Sequence, residues 1–169
     1  MGRPFLGFLI GILVAPALAA LVAFSGHFPF QATAAPPRWE RRIANLALDP
    51  AIERAASGVS CPIAATDENL IQGMKLYREN CVLCHGDRGK PSAWGRNNFY
   101  PPAPQLADRG SHDPVPVIYT VVKNGIRYTG MGGWKDQGPD DDLWRVALFL
   151  SRIKSLPPAV DSMWKAGTR

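Results

Sequence analysis

Cys81-Val82-Leu83-Cys84-His85 constrains this chain more than any other feature. Two thiols separated by two residues face one edge of a single helical turn, and the imidazole follows at once. That spacing suits thioether bonds to the two vinyl groups of a haem, with His85 binding iron from the proximal side. Two other chemistries share the C-x-x-C half of the motif. A redox dithiol expects a βαβ context, and none is visible. A zinc site needs two further ligands at close spacing. The remaining candidates, Cys61, His27 and His112, are scattered along the chain. His85 is redundant for a dithiol and required for haem.

At 169 residues the chain has room for one small domain plus flanking segments. A covalent haem would supply much of the core. Sixteen prolines and sixteen glycines point to long irregular stretches. The net charge of +5 is dispersed: residues 67–156 hold 12 Lys+Arg against 10 Asp+Glu. A nucleic-acid footprint would need a concentrated basic patch, so no nucleic-acid partner is expected. Gly-rich phosphate loops, H-E-x-x-H and G-x-S-x-G are all missing from the sequence.

Phe5 to Phe24 is twenty residues without a charge. That length predicts a single N-terminal transmembrane helix. Ala32-Thr33-Ala34 offers the alternative of a cleaved secretory signal. A retained anchor is the preferred reading, and either one exports the rest of the chain. The expected location is therefore the bacterial cytoplasmic membrane, single-pass, with the haem domain on the periplasmic side.

Four segments follow from this. Residues 1–30 are the anchor or signal. Residues 31–66 form a linker with a short helix over Trp39 to Ala56, interrupted by Pro50, and a loop carrying Cys61, read as an incidental thiol. Residues 67–156 are the haem domain, and 157–169 a tail. Within the haem domain Thr66 is placed to cap a helix reaching Cys81, with Asp67 and Glu68 in its first turn. Gly73 lies on that helix's apolar face, and its cost of about 1 kcal/mol relative to alanine calls for a close neighbour. A short helix is expected over Pro114 to Asn124. A longer one, from Asp140 to Ser155, carries an apolar stripe of Leu143, Val146, Ala147, Leu150 and Ile153.

The order of these pieces resembles the class I monohaem cytochromes c, and in particular cytochrome c subunits of respiratory or photosynthetic membrane complexes. Gly73-x-x-x-Tyr77 precedes the haem motif, and Gly86-Asp87 follows it. Pro102-Ala103-Pro104-Gln105-Leu106 is similar to the family's proline–leucine loop. Val122-Lys123-Asn124-Gly125-Ile126 leads to Thr129-Gly130-Met131-Gly132-Gly133-Trp134, much like the loop that brings methionine to iron. Leu143-Trp144-x-Val146-x-x-Phe149-Leu150 resembles the last helix.

The resemblance implies an all-α cytochrome c fold wrapped around one covalently bound haem c. It implies attachment at Cys81 and Cys84, with iron between His85 and Met131. Pro104 would accept the His85 Nδ1–H and Leu106 would pack on the haem. Gly73 and Tyr77 would meet the last helix near Trp144 and Phe149. The implied role is electron transfer rather than catalysis. The carrier would be a tethered shuttle or a fixed subunit of a membrane electron-transport complex, with redox proteins and the membrane as partners. The alternative is a haem-based sensor or enzyme subunit with an open distal site.

Overall fold

The computed structural model describes residues 2–167, and of residues 3–6 and 9 the backbone alone. Contacts divide it into two units, Met1–Gln31 and Ala32–Arg169. The first holds α1 (Arg3–Phe24). The second holds α2 (Arg38–Ala56), α3 (Asp67–Asn80), α4 (Val82–His85), α5 (Ala93–Asn97), α6 (Leu106–Arg109), α7 (Val115–Asn124), α8 (Asp140–Arg152) and α9 (Pro158–Ala166). Among the described residues no strand forms, only an isolated bridge between Asp87 and Lys90. The all-α cytochrome c architecture expected from the resemblance is the one observed.

The expected transmembrane helix is corrected. Among the described residues no helix is long and apolar enough to cross a membrane. Gly7, Gly11 and Pro16 interrupt the run of large apolar side chains from Phe5 to Phe24. Pro16 also lies inside α1, where it takes one N–H out of the helical ladder. Single-pass anchoring falls with this helix, and so does the placement in the bacterial cytoplasmic membrane with a periplasmic haem domain.

The second unit is organised by the crossing of α3 and α8. Thr66 caps α3, its side chain accepting the Asn69 N–H at 3.3 Å. Leu70, Gly73, Met74 and Tyr77 recur at helical spacing and are buried. Asp140, Asp141 and Asp142 open α8 where the helix dipole favours negative charge. Gly73 is where the two helices approach most closely. A Cβ there would run into the Arg145 carbonyl and touch the Phe149 Cβ at 3.0 Å, so the helical cost of glycine is offset by backbone contact. Beside the crossing, Tyr77 and Phe149 lie 5.7 Å apart between ring centroids.

Two elements reinforce this pair. Helix α7 packs on α8 through a stack of Tyr119 on Trp144, with centroids 3.7 Å apart and planes 5° apart. Helix α9 packs on α3. Trp164 is 1% exposed and meets Tyr77 and Phe149 edge-on at 6.0 and 5.2 Å. Residues 157–169 were expected as a tail, so α9 is a difference. Its cause is local: α8 has ended at Arg152, and Pro158 occupies the first turn of α9, where a missing N–H costs nothing. Helix α2 packs on α7, with Ala56 buried.

Candidate functional site: a haem-binding cavity

The haem motif follows directly from α3. Cys81 is the C-cap of that helix, and the chain then makes one further turn, α4. The Cys81 carbonyl accepts the Cys84 N–H at 3.1 Å and the His85 N–H at 2.8 Å. One turn therefore carries both thiols and the imidazole. The buried Tyr77 hydroxyl donates to the Gly86 carbonyl at 2.7 Å, fixing the far end of this turn to α3.

A second layer holds the turn in place, and the sequence reading missed it. Ser92 caps α5 by accepting the Gly95 N–H at 2.9 Å, and its hydroxyl donates to the Leu83 carbonyl. Gly95 lies so close to Cys84 that a Cβ would strike the Cys84 carbonyl. Gln105, buried at 9% exposure, joins three segments. Its Nε2 donates to the Cys84 carbonyl at 3.1 Å and to the Ala103 carbonyl at 3.0 Å. Its Oε1 accepts the Ser92 N–H at 2.6 Å. The only signal for it was a long amide between Pro104 and the apolar Leu106.

His85 lies 2.8 Å through Nδ1 from the Pro104 carbonyl. A carbonyl only accepts, so Nδ1 carries the proton and Nε2 keeps its lone pair. Burial pushes the imidazole below its ordinary pKa, while the bond to Pro104 pulls the other way. Burial outweighs the bond, so the ring is held neutral with a free Nε2, the form that binds a metal.

Met131 stands in a loop pinned on both sides. Its carbonyl accepts the Ile126 N–H at 2.9 Å, and its N–H meets the Thr129 hydroxyl at 3.0 Å. Three residues on, the Trp134 N–H reaches the Val122 and Lys123 carbonyls, each at 3.1 Å. The loop is thus fixed to the end of α7 even though Gly132 follows the methionine.

All six residues singled out from the sequence line one cavity of about 1170 Å³: Cys81, Cys84, His85, Pro104, Leu106 and Met131. Its other walls include Leu76, Val117, Ile118, Val121, Leu143, Val146 and Leu150, together with residues of α2. The volume and apolar lining fit a porphyrin, and the thiols and imidazole on one turn fit its covalent attachment. A dithiol reading fits poorly. Burial, with Cys84 adding to it, pushes the Cys81 thiol up to about 12, whereas a redox dithiol needs a stabilised thiolate. A zinc reading fits no better: among the described residues no three His, Cys, Asp or Glu side chains converge to hold a metal ion.

Residues 68–150 match the family model described as cytochrome c oxidase, cbb3-type, subunit III. This segment is a class I c-type cytochrome domain. As such it carries haem c, covalently bound. No curated protein matches the chain. A solved chain of the reducing HAO-like protein complex from Kuenenia stuttgartiensis is similar at 19% identity and a TM-score of 0.45, over 54% of this chain. This cytochrome spans 46% of that chain's length.

Proposed function

We propose that this c-type cytochrome passes single electrons between redox partner proteins, with His85 and Met131 as the two axial ligands of its haem iron. It works as a mobile shuttle or as a fixed subunit of an electron-transport complex. The observation that carries this reading is the shared cavity. Into it His85 presents an imidazole locked by Pro104, and along it the pinned backbone holds Met131. Haem c held by a His/Met pair has no open coordination position and a raised reduction potential, which favours electron transfer over ligand chemistry.

The protein's own residues do the rest. Pro104 fixes the imidazole tautomer and orientation. Gln105 and Ser92 hold the attachment turn. The Thr129 and Ile126 bonds brace the methionine loop, which would limit its rearrangement on a change of charge.

The test is the visible spectrum of the purified protein, oxidised and reduced. A weak methionine-to-ferric-iron band that disappears in Met131→Ala supports the pair. Immediate carbon monoxide binding by the native reduced protein replaces this reading with that of a sensor or enzyme subunit. Purification under mild conditions then separates the two roles: a partner retained at fixed stoichiometry marks a subunit, and a protein recovered alone marks a shuttle.

A further inference from the structure

Helix α2 lies outside the matched segment 68–150, yet it forms part of the cavity wall. Leu48, Ile52 and Ala56 recur every four residues along one stripe, and all three line the cavity that gathers Cys81, Cys84, His85 and Met131. Leu48 and Ile52 are half-buried, and Ala56 is 7% exposed. The opposite face is different in kind, because Trp39, Ile43 and Leu46 all stand in solvent. Asp49 and Glu53 also line the cavity but are exposed, which puts carboxylates beside the apolar stripe.

Two contacts hold the helix there. It packs along α7, and near its start the Tyr100 hydroxyl donates to a Glu40 carboxylate oxygen at 2.6 Å. Tyr100 belongs to the proline-rich stretch whose Pro101, Pro102 and Pro104 line the same cavity. A passive linker has no reason to place an aliphatic residue every four positions on a haem cavity.

We propose that α2 is a wall of the haem pocket, in which Leu48 and Ile52 cover the haem and keep water from it. Resting as it does on the c-type reading, this makes a segment outside the cytochrome domain a determinant of the redox equilibrium. An apolar cover raises the cost of the more highly charged oxidised state, and burial is one of the main levers on haem potential. Shortening the cover admits water and stabilises the oxidised form.

The experiment uses the full-length holoprotein carrying Leu48→Ala and Ile52→Ala together. Haem content is read from the pyridine derivative and the reduction potential by titration. The expected result is a full complement of haem at a lower potential than the parent. Leu46→Ala, on the exposed face of the same helix, should leave the potential where it was. A double variant titrating with the parent overturns the proposal, as does an equal fall in Leu46→Ala. If the double variant does not load haem, Tyr100→Phe is read instead, since it removes one hydroxyl from the clamp on α2. A lower potential with faster amide exchange across residues 38–56 supports the wall, and an unchanged potential overturns it. A parent protein without covalent haem would sink the c-type reading itself, which keeps the two failures apart.

Discussion

Gln105 shows what one side chain contributes to this site. Its three hydrogen bonds all go to backbone atoms, of Cys84, Ala103 and Ser92, in segments that meet only in the folded chain. Gln105→Ala leaves those groups without partners in a buried place, and the expected loss is about 1–3 kcal/mol. Chemical denaturation of the holoprotein measures it. The haem motif was fully legible because its spacing is dictated by covalent chemistry. Gln105 was not, because nothing in a sequence marks the backbone atoms a side chain will reach. A surface group allows a pH test. The hydrogen bond from Lys123, with a second from Tyr119, holds the Asp140 carboxyl below its ordinary value of 3.8. Its folded pKa is depressed, so its contribution is complete above the ordinary value and fades as pH falls through the folded one. Asp140→Asn should therefore lose stability relative to the parent at neutral pH, and the gap should close in acid. Thermal melts at several pH values check this.

At the scale of elements, the α3–α8 crossing was written into the sequence by Gly73, whose helical cost signalled a close neighbour. Gly73→Ala forces a Cβ onto the Arg145 carbonyl, a main-chain atom that cannot swing aside. A loss of about 1–3 kcal/mol is expected, seen as an earlier unfolding transition. Helix α9 was hidden, since a proline pair reads as a terminator whether or not a helix begins on its second member. Its anchor is Trp164, which sits against Tyr77 and Phe149 with the Arg78 guanidinium 4.3 Å from its ring centroid. Trp164→Ala should cost about 3–5 kcal/mol, far more than a change in a loose tail would. The anchor expected over α1 rests on an uncharged run of the right length, whereas among the described residues no helix is long and apolar enough to cross a membrane.

On the scale of the whole molecule, the cytochrome match covers residues 68–150, while α2 and α9 come from either side of it. The hydrophobic cluster draws on α3, α7, α8 and α9, so its members are distant in sequence. Several of them, including Ile118, Leu143, Val146 and Leu150, also face the haem cavity. Core and cofactor site are therefore one structure. A cavity of about 1170 Å³ amid those side chains has a consequence for how the protein is made. Without haem that space holds water, and the apolar side chains lining it lose the burial that haem would give them. The polypeptide alone therefore forgoes part of its core. Haem attachment at Cys81 and Cys84 therefore completes the core as well as the redox centre. A chain carrying Cys81→Ala and Cys84→Ala should be made at the normal rate and cleared by proteases, which pulse labelling would detect. Attachment thus acts as an inspection step in biogenesis, and only chains that have received their haem live long enough to meet a partner.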